Sequence, residues 1–263
     1  MPSTAEPGDL LQRLERYYDA APRASCETEE IGSFTLFVSH AGFPYYARPR
    51  LGLDPATRIG VADVCAVLER QRALGVPQSM EWVHEVTPGL LAPVRAAGMS
   101  VLEAPLLVLG SVTDARRLAP GVVVMGSDDP RLGLVRASIG AGFVGTDIVA
   151  EPADTTLLTE RIATGLIVQV GAFDVEGIAL GGGSHSPRDG VTEITGIAVL
   201  PRARNRGLGS AITRVLAADA LDHGTTTVFL SAGSDAAARI YQRVGFVRVG
   251  TACIAERHPQ AVH

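Results

Sequence analysis

Apolar positions along this chain recur at two spacings, about 3.6 residues and about 2, in alternating blocks. Residues 9–20, DLLQRLERYYDA, put Leu10, Leu11, Leu14, Tyr17 and Tyr18 on one helical face, and Pro22 supplies a stop. GSFTLFVS and PYYARPRL read as strands around the break His40-Ala41-Gly42, with Pro49 confining the second to an edge or irregular course. A helix over about residues 60–74 follows, then the strand MEWVHE, a helix over 88–97 and the strand VLEAPLLVLG; residues 111–121, SVTDARRLAPG, read as a linker. Beyond it, the strand VVVMGSDD leads to the helical stretches PRLGLVRASIGAGF and TTLLTERIATG. LIVQVGAFD and EGIALGGG make a hairpin through Asp174-Val175, and GVTEITGIAVL is a longer strand after the loop SHSPRDG. A helix over 207–222 ends near Gly224, where glycine suits a left-handed cap. TTVFLSAG then reads as strand, SDAAARIYQRVG as helix, FVRVGTACIAE as the last strand and HPQAVH as a tail. This order predicts an α/β (α+β) fold, a mixed and mostly antiparallel central sheet flanked by helices.

At 263 residues the chain exceeds what most single cores need, and two domains are expected, 1–115 and 116–263. A hydrophobic content of 46% with 19% charged residues is the balance of a soluble globular protein, without an apolar run of roughly 20 residues. MPSTAEPGDL has neither a basic start nor an apolar core, so a cytoplasmic location is expected, with no membrane partner. Cys26, Cys65 and Cys253 form no CxxC pair and the histidines show no ligand spacing, so neither disulfides nor a metal are expected. A net charge of -5 with mixed signs gives no basic stripe for nucleic acid.

The chemistry concentrates in ITGIAVLPRARNRGLGSAITRVLAADAL, where a β-branched strand runs through a short loop into a helix. A helix N-terminus offers unpaired N–H groups and the positive end of a dipole, and Gly207 and Gly209 let that backbone approach an anion. Arg204 and Arg206 add charge for the same anion. The loop lacks the Gly-Lys-Ser/Thr ending of a P-loop and contains no GxGxxG. Read as Arg204-x-x-Gly207-x-Gly209, with Val199 and Pro201 upstream, it resembles the coenzyme A pyrophosphate loop of the GNAT superfamily of N-acetyltransferases. SDAAARIYQRVGF resembles the second signature of that family through Ser234, Ala237, Ile240-Tyr241 and Gly245-Phe246, although the family often opens this helix with asparagine.

The resemblance implies a GNAT-like acyl-CoA N-acyltransferase fold, in which the strands 190–200 and 226–232 splay at one end and the pantetheine arm inserts between them. It would bond the main chain of Ile197, Ala198 and Val199, with Ser234 near the arm; Arg204, Asn205, Arg206, Gly207, Leu208, Gly209 and Ser210 would hold the pyrophosphate. Tyr241 matches the family tyrosine that returns a proton to the coenzyme A sulfur, and it also reads as a packing residue with a bonded hydroxyl. A lysine-like amine with a pKa near ~10.4 must lose a proton before attack, so a base is needed at neutral pH. Glu193 falls where several protein-acetylating members keep a glutamate, and it also reads as a solvated strand carboxylate. Phe229, Leu230 and Ser231 are what the next strand offers at the position other branches use. The triple glycine 181–183 reads as a flexible hairpin end, and His185, His84 and His223 as surface or loop residues.

The first half repeats the second at a fixed offset. Gly60 and Gly207, and Gly98 and Gly245, are each 147 positions apart, and the same offset pairs MEWVHE with TVFLSA. In that register Thr57 stands for Arg204, Ala62 for Gly209, Tyr46 for Glu193 and Val94 for Tyr241. The expected arrangement is therefore a tandem GNAT protein whose degenerate N-terminal half lacks the cofactor loop, the alternative being an unrelated α/β half of similar spacing. The expected activity is transfer of an acetyl group from acetyl-CoA, a cosubstrate, to a primary amine of a small molecule or peptide, directly within a ternary complex. A non-catalytic acyl-CoA-binding sensor or scaffold, and a protein lysine acetyltransferase, stand as alternatives; a homodimer is compatible with either.

Overall fold

The computed structural model describes residues 7–39, 46–54, 56–110, 121–152 and 154–257. The break at 40–42, most of the linker 111–121 and the tail 258–263 lie outside them. The chain forms two compact units, one of Met1–Leu106 with Val249–His263 and the other of Leu107–Arg248.

Unit 1 opens with α1 (Pro7–Arg23), which buries Leu14, Tyr17 and Tyr18 as the spacing predicts. An antiparallel sheet of β1 (Cys26–Ile31), β2 (Phe34–Ser39) and β3 (Arg48–Pro49) follows in sequence order. The β1 segment CETEEI carries no apolar alternation, so hydrophobic patterning misses it; pairing with FTLFVS makes it a strand. Then come α2 (Val61–Ala73), β4 (Ser79–Val83), a short 3-10 turn running into α3 (Leu91–Ala96), and β5 (Ser100–Leu109). The core gathers Phe34, Leu36, Leu68, Met80, Trp82, Leu90 and Val94. Beneath α1, Arg48 reaches Glu15 and Glu81, each at 3.2 Å, and its guanidinium lies 4.2 Å from the Tyr18 ring centroid. Two buried carboxylates share one cation, and burial pushes the Glu81 carboxyl above its ordinary range. The end of the chain completes this unit: in β11 (Phe246–Glu256), Ala252–Glu256 pair antiparallel with β4.

Unit 2 contains β6 (Val122–Met125), α4 (Leu132–Val144), α5 (Thr156–Ala163), β7 (Val168–Phe173), β8 (Ala179–Arg188), β9 (Val191–Val199), α6 (Leu208–Asp222), β10 (Thr227–Ser231) and α7 (Asp235–Gln242). Its strands run side by side as β6-β7-β8-β9-β10, antiparallel except for β9 with β10. Ile194, Val170 and Val228 form one core with Ile212 and Leu216 of α6 and Ala238 of α7; Met125, Leu132, Val135 and Leu158 belong to a second, with α4 and α5. The triple glycine is not a hairpin end. It sits inside β8, where a Cβ on Gly182 would fall 2.3 Å from Val170 O and one on Gly183 would fall 2.9 Å from Ile197 Cγ1, so the neighbouring strands β7 and β9 occupy the room a side chain would need. Most of SHSPRDG likewise continues β8, and the reversal is made at Asp189-Gly190, both at positive φ.

The repeat is visible in the elements. Val61 and Leu208 open α2 and α6 at 147 positions apart, and the starts of β4 and β10, and of β5 and β11, keep that offset to within one residue.

Candidate active site

Two strand irregularities open the site. Between β8 and β9 the register shifts after Gly182–Ala198 and resumes at Ser184–Thr195, so β9 bulges at Gly196-Ile197, where Gly196 has φ +66°. Between β9 and β10 the parallel register runs from Val191–Thr227 to Glu193–Phe229, while β9 continues to Val199 and β10 to Ser231. Past Glu193 the two strands diverge with no paired residues among those described.

At the far end of β9 the chain turns through a 3-10 turn at Pro201–Ala203 and enters α6 at Gly207, whose φ of +77° is left-handed. Glycine adopts that conformation without Cβ strain. Asn205 is also left-handed, with φ +61°. No side chain caps α6, so its first-turn N–H groups face outward without an intrahelical acceptor. A Cβ at Gly207 or Gly209 would meet nothing within 4 Å. Arg204 braces the loop from below: Nε donates to Val199 O at 3.1 Å and Nη2 to Gly142 O at 2.6 Å. Asp147 ties the other side, accepting from Arg202 N at 3.0 Å.

A cavity of about 620 Å³ lies over this loop. Of the residues singled out from the sequence, it brings together Ile197, Ala198, Val199, Arg204, Asn205, Gly207, Leu208, Gly209, Ser210 and Tyr241. Arg206, Ser234 and Glu193 are not in its lining. Arg206 is exposed, and Ser234 is the N-cap of α7, its Oγ accepting from Ala237 N at 3.2 Å. Glu193 sits half-buried further down β9, where Ser231 Oγ lies 3.5 Å from its Oε1. Gly142, Phe143 and Arg243 also line the cavity, and sequence reasoning missed them. Phe143, 64% exposed at the end of α4, is an apolar ring no core claims, but no spacing in the sequence links it to the loop.

Tyr241 stands on α7 with its ring edge-on to Phe246, centroids 6.4 Å apart. Burial pushes its phenol above the ordinary tyrosine value of 10.0, so it holds its proton through neutral and mildly alkaline pH. His185 is no surface residue. It is 1% exposed in β8, with Nδ1 3.0 Å from Thr192 Oγ1 and Nε2 3.0 Å from Asp219 Oδ2, and so ties β8 and β9 to α6.

The fold agrees with the comparisons. Residues 151–246 match the family model described as Acetyltransferase (GNAT) family, so a GNAT domain occupies that stretch of unit 2. The chain is similar in structure to a GCN5-related N-acetyltransferase from Kribbella flavida, with a TM-score of 0.69 at 21% identity over 95% of this chain and 97% of that one. It is also similar to a GCN5-related N-acetyltransferase from Sphaerobacter thermophilus (TM-score 0.56, 15% identity, 94% and 84% covered). A tandem GNAT protein from the clavulanic acid biosynthesis pathway, determined without AcCoA, gives a TM-score of 0.51 at 17% identity over 86% of this chain and 79% of that one. No curated protein matches the chain by sequence. No helix among the described residues is long and apolar enough to cross a membrane.

Proposed function

We propose that this chain transfers an acetyl group from acetyl-CoA to a primary amine, through unit 2. The observation that carries the reading is the uncapped N-terminus of α6 opening, through two glycines with free space beside them, onto a cavity that also contains Tyr241. The residues fit the cosubstrate. First-turn N–H groups with Arg204 and Arg206 nearby suit a pyrophosphate, and the edge of β9 left without a partner past Glu193 suits the amide groups of a pantetheine arm.

Glu193 accepts the proton that the acceptor ammonium must lose, making its nitrogen nucleophilic. Main-chain N–H groups of β9 at Ile197 or Val199 donate to the carbonyl oxygen as negative charge builds on it. The new carbon–nitrogen bond forms as the carbon–sulfur bond breaks; Tyr241, kept protonated by burial, gives its proton to the departing thiolate, and the second proton lost by the nitrogen restores the phenol. Free-thiol release from acetyl-CoA, followed with a panel of primary amines, tests the reading. Amine-dependent release is expected; tight acetyl-CoA binding with no release for any amine would favour a sensor instead.

A further inference from the structure

His185 is a polar side chain on an apolar face. It is 1% exposed in β8, opposite Ile194 of β9, and Ile194 packs with Ile212 and Leu216 of α6, so the imidazole lies on the side of the sheet that α6 covers. Burial there is tolerated because both ring nitrogens are paired: Nδ1 is 3.0 Å from Thr192 Oγ1, and Nε2 is 3.0 Å from Asp219 Oδ2. An ionised carboxylate only accepts, so Nε2 carries a proton, and in the neutral ring Nδ1 accepts from the Thr192 hydroxyl. Thr192 is fully buried, and the Asp219 side chain is 12% exposed. His223, exposed at the end of α6, has Nδ1 2.8 Å from the main-chain O of Asp219 and 3.5 Å from its carboxylate, so its nearer partner is the helix carbonyl.

The place of this network in the fold gives it a consequence for the site. Thr192 directly precedes Glu193, and neighbours on a strand point to opposite faces, so β9 is gripped from behind where it presents Glu193 in front. The grip also falls at the root of the divergence, since Val228–Thr192 and Phe229–Glu193 end the pairing of β9 with β10. At the other end of the network, Asp219 belongs to α6 and lies about 16 Å along the axis from Leu208, where the uncapped N-terminus meets the cavity. Ile212, Leu216, Ala217 and Ala220 press α6 onto the sheet, but apolar contact is non-directional and does not by itself set the slide or roll of a helix. Hydrogen bonds are directional, and a satisfied buried network rigidifies what it joins. Asp219, His185 and Thr192 therefore hold the N-terminal end of α6 at one place relative to Glu193.

We infer that His185 is a positioning residue for acetyl transfer: through Thr192 and Asp219 it sets the placement of α6, and so of the acetyl-CoA anchored there, against Glu193. The inference rests on the acetyl-transfer reading above. It is tested on the full chain with Thr192→Val, which keeps the volume and removes the hydroxyl, with Thr192→Ser, which keeps the hydroxyl, and with Asp219→Ala. Thiol release with the amine that the wild type uses best is followed below the unfolding temperature of every variant, and acetyl-CoA binding is measured by calorimetry. Thr192→Val and Asp219→Ala should each lower kcat by about tenfold or more, since a displacement of about 1 Å can cost about a hundredfold, while the acetyl-CoA Kd stays within about threefold. Thr192→Ser should keep kcat near the wild-type value. Because both losses cut the same network, the double variant should fall no further than the lower single one. Thr192→Val and Thr192→Ser alone decide the matter if Asp219→Ala does not fold. A wild-type kcat in Thr192→Val with only a lower unfolding temperature, kcat and affinity falling together, or losses that multiply in the double variant would each overturn the inference and leave acetyl transfer standing. No thiol release by the wild type with any amine defeats the transfer reading itself, and this inference with it.

Discussion

Arg204 would serve the proposed anion site in two ways. Its Nε and Nη2 are taken by Val199 O and Gly142 O, so its geometric role is to hold the end of β9 and the end of α4 against the loop. Its charge still lies beside the α6 N-terminus. Arg204→Ala should therefore weaken acetyl-CoA binding both by loosening the loop and by removing a cation, and Gly209→Asp should weaken it by setting a carboxylate in the open space beside the first turn. Calorimetry reads both; unchanged affinity in folded variants would discard the loop assignment. Tyr241→Phe should lower kcat by about a hundredfold with little change in acetyl-CoA affinity, because a general acid acts on thiolate departure. The pH dependence has a definite sign. Burial raises the phenol above 10.0, so proton donation by Tyr241 persists below that pH and fails only as pH rises through the raised value. A kcat profile with an alkaline limb well below pH 10 would point to another donor. Glu193→Gln should depress the rate chiefly below the pKa of the amine, where deprotonation limits turnover, and a profile matching the wild type would assign the proton to a different base or to water.

Among the elements, α4 and β9 meet at one wall of the cavity. A Cβ on Gly142 would stand 3.1 Å from Ala198 Cβ and from Val199 N and C, so the helix lies as close to the strand as glycine allows. Gly142→Ala should cost about 1–3 kcal/mol by overpacking and should also lower acetyl-CoA affinity, since Arg204 is bonded to Gly142 O. Denaturant unfolding and calorimetry measured together check it: lost stability with intact affinity would mean that α4 does not position the loop. This contact also marks where sequence reading stops. The segment from Ile194 to Ser210 announces strand, turn and helix through β-branched residues, Pro201 and two glycines, so loop and helix are legible. The α4 end is not, because Gly142 and Phe143 meet the loop from more than fifty positions away and carry no period of their own. His185 fails for a related reason. Its partners Thr192 and Asp219 come from another strand and a helix, and a polar SHSPRDG stretch reads as loop until the pairing of β8 with β9 is known.

At the scale of the whole molecule, duplication raises the question of how many cosubstrate sites the chain has. Unit 1 keeps a cavity of about 490 Å³, and its lining includes Arg50, Leu51, Gly52, Thr57, Arg58 and Leu90, which correspond at the 147-residue offset to Ile197, Ala198, Val199, Arg204, Asn205 and Ala237 around the cavity of unit 2. The space has survived, but the chemistry at its helix has changed. Asp63, in the first turn of α2, accepts from Gly60 N at 2.8 Å, so a carboxylate of the chain itself already stands at this N-terminus, whereas the first turn of α6 carries no acidic residue. Gly60 has φ -102°, unlike the left-handed Gly207, so the backbone leading into α2 aims its amides differently from the backbone leading into α6. A pyrophosphate placed there would meet a fixed negative charge at a helix end whose dipole Asp63 has already partly neutralised, with Thr57 in place of the bracing arginine. Val94, buried where Tyr241 stands in unit 2, removes the proton donor as well. We therefore expect one acetyl-CoA per chain. Calorimetric titration should saturate at a stoichiometry of one and lose its signal in Gly209→Asp; a stoichiometry of two, or residual binding in that variant which Arg58→Ala then abolishes, would show that unit 1 also takes the cosubstrate.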